Sequence, residues 1–313
     1  MGCANIAIRS VIPAIKELNN YFQLCAIASR SKEKANKYCE IYNCEPVVGY
    51  EKLLARNDID AIYIPLPTGL HYEWIMKSLI SGKHVYAEKS FAMNFLEAKE
   101  IVTLARKMNL ALMEGYMFQY HSQHRKVLSI LKRGEIGKIR NFSSSFGFPP
   151  LEKNNFRYDN KLGGGSLMDA AGYPLRATYF ILGDDIYVTG ANLYFDSRLK
   201  TNIYGSAFLK CANGIGAHIS FGFDNFYQCK YEIWGSKGLL TVNKAFTPRP
   251  NCATEIIIET SNNRKIVNCD PDNHFIKAFI EFYMIITKNQ KETHYNNILL
   301  QSNSLDRILE LGK

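Results

Sequence analysis

The chain has 313 residues, 47% of them hydrophobic, and a formal net charge of +9; the length suits two domains of ordinary size and the composition excludes a disordered chain. No apolar run reaches the roughly 18 residues that span a bilayer, and no basic start leads into an apolar stretch and a small-residue cleavage site, so the expectation is a soluble cytoplasmic protein with no membrane partner. The lysines and arginines are scattered through amphipathic segments rather than gathered in a tract, which argues against nucleic acid and leaves anionic cofactors and phosphorylated substrates as the partners such a surface attracts.

Up to about residue 120 short apolar runs alternate with helical periodicity, as parallel βαβ units do. Strands are expected over 22–28, 61–66, 84–87 and 110–113, and helices over 12–18, 31–42, 71–81 and 95–108. The last helix opens on Asn94 and Glu97, the spacing of a capping box with Asn in the Ser/Thr place. Beyond Gln119 the texture changes: after a helix over 123–132 come alternating runs at 139–148, 187–195, 203–209, 215–223, 227–234, 239–242 and 255–259, with helices over 166–182 and 273–286. The fold class is therefore α/β: a Rossmann dinucleotide-binding domain over 1–119, then an α+β substrate-binding and oligomerisation domain over 120–313 with a large, mostly antiparallel open sheet. That sheet is the expected surface of a homo-oligomer.

Eight cysteines show no repeated spacing and no CxxC, which points to reduced thiols and away from disulfides or structural zinc. His121 and His124 lie three apart, but no carboxylate or further ligand falls at a supporting spacing, so no metal is expected.

Gly2-Cys3-Ala4-Asn5-Ile6-Ala7 has the spacing of GxGxxG/A with alanine in the middle place. A small residue there lets the backbone approach a pyrophosphate while the next helix aims its first amides at the charge. The fingerprint normally follows a strand; only Met1 precedes Gly2 here, so the sheet is expected to lack its first, central strand and to carry a gap between two unpaired edges. The next strand ends in Ser29-Arg30-Ser31 rather than in the acid that takes a ribose 2′-hydroxyl. A guanidinium with two hydroxyls suits a 2′-phosphate, which favours NADP(H) over NAD(H). The bland alternative is that Ser31 caps the following helix and Arg30 is solvated.

Several further motifs stand in order: Pro67-Thr68-Gly69-Leu70-His71, Gly82-Lys83-His84-Val85-Tyr86-Ala87-Glu88-Lys89-Ser90, Met113-Glu114-Gly115-Tyr116-Met117-Phe118-Gln119-Tyr120-His121, and Leu162-Gly163-Gly164-Gly165-Ser166-Leu167-Met168-Asp169 with Gly172-Tyr173. Together with the fingerprint they resemble the glucose-fructose oxidoreductase, inositol dehydrogenase and rhizopine catabolism family (Gfo/Idh/MocA) over nearly the whole chain. Ala4, Ser90 and Gln119 depart from the family's glycine, proline and arginine. Tyr173, where other branches carry histidine, looks most like the branch that reduces sugars and nucleotide-linked deoxysugars.

The resemblance implies an NADP(H)-dependent oxidoreductase that moves hydride between nicotinamide and a carbonyl or hydroxyl of a sugar or sugar-nucleotide. Lys89 follows a strand at the carboxyl edge, where it could stabilise charge on the substrate oxygen. Asp169 and Tyr173, four apart, share a helical face. A tyrosine hydroxyl, titrating near 10, can donate to a developing alkoxide. Lys89, Tyr173 and Asp169 are thus the catalytic candidates. The cofactor candidates are Gly2, Ala4, Asn5, Ile6, Ser29, Arg30, Ser31, Pro67, Thr68, His71, Glu88 and Lys89, with His71 on the nicotinamide side and Glu88 structural or orienting. Phe146, Phe148, Phe156 and Tyr158 either line a sugar cleft or pack the core. An inositol or free-sugar dehydrogenase is the alternative within the enzymes; a catalytically silent dinucleotide- or sugar-binding protein is the alternative outside them.

Overall fold

The computed structural model describes residues 1–288 and 290–313. They fall into two compact units, one of Met1–Gly115 with Phe275–Ser302, the other of Tyr116–His274 with Asn303–Lys313. Among the described residues no helix is long and apolar enough to cross a membrane.

The first unit alternates strands β1 (Ala26–Ser29), β2 (Glu45–Val48), β3 (Ala61–Ile64), β4 (His84–Ala87) and β5 (Leu112–Glu114) with helices α1 (Ile12–Glu17), α2 (Lys32–Tyr42), α3 (Tyr50–Leu54), α4 (His71–Ile80) and α5 (Phe95–Met108). All pairings are parallel, as crossover helices require. Ile64, Val85, Ala87 and Leu112 are fully covered, with Ile75 and Leu79 of α4 and Ile101 and Val102 of α5 in the same core. At α5 the Asn94 cap is present: its Oδ1 accepts from Glu97 N at 2.9 Å, while the Glu97 carboxylate accepts from Met93 N, one residue before the cap, at 2.9 Å.

The strands form two sheets, β1-β2 and β3-β4-β5, and β1 and β3 do not pair. The expected gap lies between them. The first two residues bridge it: the Met1 amino group donates to Tyr63 O at 2.8 Å, and Gly2 N donates to Ala28 O at 2.7 Å.

The second unit holds α6 (Ser122–Lys132), β6 (Ile139–Gly147), α7 (Gly172–Leu182) and strands β7 (Ile186–Asp196), β8 (Thr201–Cys211), β9 (Gly216–Gly222), β10 (Gln228–Gly235), β11 (Gly238–Val242), β12 (Thr254–Thr260) and β13 (Asn263–Cys269). They build one sheet in the order β13-β12-β11-β10-β6-β9-β8-β7, antiparallel except for β6 with β9. Its inward face carries Phe142, Ala207, Leu209, Ile219 and Ile233, all buried, as period-2 alternation requires. Two helices end the chain, α8 (His274–Thr287) and α9 (Lys291–Leu311).

Four elements were not expected from the sequence: β2, α3, β13 and α9. β2 is an edge strand that carries Pro46 and is mostly exposed, so it has no buried stripe to read. In α9, Asn, Gln and Ser interrupt the apolar stripe, yet Tyr295 and Ile298 sit in the core of the first unit. The Tyr295 hydroxyl donates to Leu110 O, and Arg106 binds Glu292 at 2.8 Å.

Candidate active site

In the first unit the fingerprint forms a tight loop. Gly2 has φ +88°, a region that side-chain-bearing residues rarely adopt, and an added Cβ would lie 2.8 Å from Leu66 Cδ2. The chain turns helical at Asn5, so Ala4, Asn5 and Ile6 stand at a helix start whose first amides have no intrahelical partner. Beside Gly2 is the end of β1, where Arg30 is exposed. Arg30 lies against the hydroxyl of Tyr50, a phenol pushed upward by burial and pulled back by the guanidinium. Tyr50 packs edge-on against Trp74, with centroids 4.9 Å apart. A glycine cradle, a helix start and an exposed guanidinium at the strand end are the features a phosphorylated dinucleotide needs, so these residues fit NADP(H).

The two serines around Arg30 are differently engaged. Ser29 is buried and its Oγ accepts from Ser31 N at 3.1 Å. Ser31 Oγ caps α2 by accepting from Lys34 N at 3.2 Å, and it donates to Glu33 at 2.8 Å. Its hydroxyl thus serves the helix cap beside Arg30.

Lys89 lies two residues beyond β4, on a turn held from behind. His71 is fully buried; its Nδ1 lies 3.0 Å from Ser90 O and 3.2 Å from Phe91 O, and its Nε2 lies 2.8 Å from Leu66 O. Burial lowers its pKa, opposed by these carbonyls and reinforced by Lys89. His71 therefore ties the Leu66–Thr68 loop to the Ser90-Phe91 turn, and its nitrogens face carbonyls rather than a cofactor. Glu114, in the 113–121 motif and without a marking signal of its own in the sequence, accepts from Phe91 N at 3.0 Å through a buried carboxylate. Glu88 accepts from the Tyr63 hydroxyl at 2.7 Å, and burial raises its pKa against the pull of that bond and of Lys89. The carbons of Glu88 pass so close to Gly115 that a Cβ there would come within 3.2 Å. Pro67 and Thr68 open the short turn before α4, with Thr68 buried.

In the second unit Asp169 and Tyr173 sit on consecutive elements, because the expected single helix opens as a π-helical turn, Leu167–Ala171, before α7. Such turns are frequent at functional sites. Asn202 of β8 holds the start of that turn, accepting from Ser166 Oγ at 3.0 Å and Leu167 N at 2.7 Å. Gly165, at φ +107°, packs so tightly on Asn202 that a Cβ would approach its Nδ2 to 2.6 Å. Asp169 pairs with Arg157 Nε at 2.8 Å, a partner that sequence spacing gave no means of finding. A Cβ on Gly172 would collide with the Tyr116 hydroxyl.

Tyr173 is 6% exposed and ringed by aromatic side chains, with Phe146 at 4.8 Å, Tyr116 at 5.5 Å and Phe246 at 5.6 Å between centroids. Phe148 stacks on Phe223, and Tyr158 meets the same ring edge-on. Phe156 is exposed, with the Arg157 guanidinium over it. His124 is fully engaged: Nδ1 faces the Tyr231 hydroxyl and Nε2 the Ala245 carbonyl, each at 2.9 Å.

The model of the oxidoreductase family with an NAD-binding Rossmann fold matches residues 1–116, and that of the GFO/IDH/MocA C-terminal domain matches residues 124–241. The chain is 37% identical to the dTDP-3,4-didehydro-2,6-dideoxy-alpha-D-glucose 3-reductase of Actinomadura kijaniata, over 100% of this chain and 94% of that one. It is 42% identical to the reductase of that name from Saccharopolyspora spinosa, over 83% and 78%. Among solved structures, a 3-ketoreductase from Actinomadura kijaniata in complex with NADP and TDP-benzene superposes with a TM-score of 0.95 at 36% identity, covering 99% of this chain and 95% of that one.

Proposed function

The chain belongs to the Gfo/Idh/MocA oxidoreductase family, and on that premise we propose that it is an NADP(H)-dependent reductase of a keto group on a nucleotide-linked deoxysugar. The observation that carries this reading is full-length similarity to reductases of that substrate class, joined to a glycine cradle with an exposed arginine at the strand end.

Bound NADPH supplies the hydride. Gly2, Ala4, Asn5 and Ile6 form the pyrophosphate cradle, with Ser29, Pro67 and Thr68 shaping its rim, and Arg30 takes the 2′-phosphate. Tyr173 donates the proton to the substrate oxygen. Lys89, presented by a turn that His71 and Glu114 fix, stabilises the negative charge developing on that oxygen. Asp169, held by Arg157, orients the acid. Glu88 and His71 are positioning residues. Burial of Tyr173 among aromatic rings strengthens a hydrogen bond from its hydroxyl, because the local dielectric is low.

The working form is a homo-oligomer in the cytoplasm, where eight free thiols persist. The outer face of the large sheet supports self-association: Tyr187, Tyr204, Phe208 and Trp234 are 63%, 40%, 58% and 63% exposed, far more aromatic surface than an isolated sheet face needs. Sedimentation of the native chain and of Phe208→Glu tests this, the variant being expected to shift toward monomer.

The catalytic reading is tested by NADPH oxidation with a panel of a dTDP-linked keto-deoxysugar, free aldoses and inositol. The nucleotide-linked ketone is expected to give the highest kcat/KM. Preference for a free sugar or inositol would select the dehydrogenase alternative, and turnover of nothing the silent one.

A further inference from the structure

Three consecutive buried residues, Tyr116, Met117 and Phe118, pack around Tyr173. Tyr116 meets the Tyr173 ring edge-on, with centroids 5.5 Å apart and an interplanar angle of 84°. Met117 opens the short turn Met117–Tyr120, and the Tyr173 hydroxyl donates toward its Sδ across 4.0 Å. A thioether is a weak acceptor, so this contact places the hydroxyl without holding its proton firmly. The Phe118 ring lies 6.1 Å from that of Tyr173.

The tightest contact falls one residue before Tyr173, at Gly172. A Cβ there would collide with the Tyr116 hydroxyl and would lie 2.8 Å from Cζ and 3.1 Å from Cε1 of the same ring. Gly172 has φ −60° and ψ −33°, ordinary helical backbone open to any residue, so no conformational demand calls for glycine. Glycine is among the poorest helix formers, yet it stands on the first turn of α7. The side chain it lacks is the socket of the Tyr116 hydroxyl. The buried Arg176 guanidinium, three residues beyond Tyr173 on α7, lies over the Tyr116 ring at 5.4 Å from its centroid. Three residues of one helix start therefore grip a single tyrosine, and in a close-packed interior that tyrosine cannot tilt without displacing them.

We propose that Tyr116 is a positioning residue for the proton donor: with its hydroxyl seated against the Gly172 backbone, it fixes the angle and depth of the Tyr173 side chain. The inference rests on the reading of Tyr173 as that donor. Rate is steep in the placement of reacting groups, and a displacement of about 1 Å can cost roughly a hundredfold. Tyr116 thus acts on the reaction through its neighbour, by packing alone.

The test is a double-variant cycle of Tyr116→Phe and Gly172→Ala in the full chain. It is read by kcat and KM for a dTDP-linked keto-deoxysugar, by NADPH affinity and by Tm. Gly172→Ala drives a methyl group into the hydroxyl and is expected to lower kcat roughly 100-fold, with KM and NADPH affinity within about twofold. Tyr116→Phe empties the socket and is expected to cost kcat less than that. In the double variant the methyl takes the vacated space, so Tm should recover and kcat should exceed that of Gly172→Ala by about tenfold. A double variant no better than Gly172→Ala would overturn the proposal. So would a Gly172→Ala enzyme whose Tm falls while kcat holds, the mark of a merely structural contact. Should Gly172→Ala fail to fold, the double variant decides: a folded, active chain supports the seat, and a second failure contradicts it. Tyr173→Phe separates this proposal from the reading beneath it. Normal turnover there removes the donor itself, whereas lost turnover there with an unrescued double variant overturns the role of Tyr116 alone.

Discussion

Arg157 donates through Nε to Asp169 Oδ2 across 2.8 Å, and the same guanidinium lies over the Phe156 ring. The carboxylate is thereby fixed on the π-helical turn that leads into α7, three positions before Gly172 admits the Tyr116 hydroxyl and four before Tyr173.

That pairing predicts a division between binding and turnover. Arg157→Ala releases Asp169, and because a hydrogen bond to a charged group is worth about 1.5–3 kcal/mol, kcat is expected to fall roughly 10- to 100-fold. NADPH affinity, measured by fluorescence titration, should stay within about twofold. A large loss of cofactor affinity with kcat unchanged would assign Arg157 and Asp169 to binding instead.

In the proposed reading, cofactor choice rests on Arg30, exposed at the end of β1. Arg30→Ala is expected to weaken NADPH binding by roughly 10- to 100-fold, the value of a charge-assisted pair, while leaving NADH affinity unchanged. Equal losses for the two dinucleotides would mean that Arg30 does not meet the 2′-phosphate.

The strands and helices that bury a regular stripe were legible in the sequence. Helix 95–108 is found at the expected bounds, and β4 at residues 84–87, because Ile101, Val102, Val85 and Ala87 repeat with the period of their elements. Elements that bury little, such as β2, or whose stripe is broken by amides and hydroxyls, such as α9, carry no such signal. Among the candidate residues, Gly2 and Tyr173 are marked in the sequence by motif order. The partners of Asp169 and Ser166 are not: Arg157 and Asn202 reach them across 12 and 36 residues of chain, a distance that local spacing does not encode. His71 and Ser31 show the converse, polar residues at motif positions whose hydrogen bonds turn inward to the scaffold.

The turn behind Lys89 gives a third prediction. Glu114→Ala removes the acceptor of Phe91 N, and an orphaned buried donor costs about 1–3 kcal/mol. Thermal unfolding should register that loss and turnover should fall with it. Glu114→Gln, whose amide oxygen can still accept, should restore most of both. If Gln restores stability but not turnover, the charge of Glu114 rather than its hydrogen bond supports Lys89.

Buried histidines set the response to acid. Burial lowers the pKa of His124 and of His274 from 6.5 to about 3 each. The unfolded chain therefore binds more protons than the folded one below pH 6.5, and stability rises with pH through that range. Stability from these two groups is complete above about pH 6.5 and drains away as pH falls toward 3. At pH 5 each is expected to cost about 2 kcal/mol relative to pH 7. Glu88, whose pKa is raised by burial, acts in the opposite direction, whereas His71, lowered by burial, acts with the two histidines. Urea unfolding between pH 7 and 4.5 checks the sign: a midpoint that holds or rises on acidification would contradict it.

The central claim is that Tyr173 supplies the proton while Lys89 stabilises the charge. The most direct measurement is steady-state turnover of Tyr173→Phe, Lys89→Ala and the double variant with a dTDP-linked keto-deoxysugar, with NADPH affinity measured alongside. Each single variant is expected to lose about 100- to 10,000-fold in kcat with cofactor affinity nearly intact, and the double variant should lose less than the product of the singles, since the two groups act as a unit. Near-normal turnover in Tyr173→Phe, or loss of NADPH binding in Lys89→Ala, would contradict it.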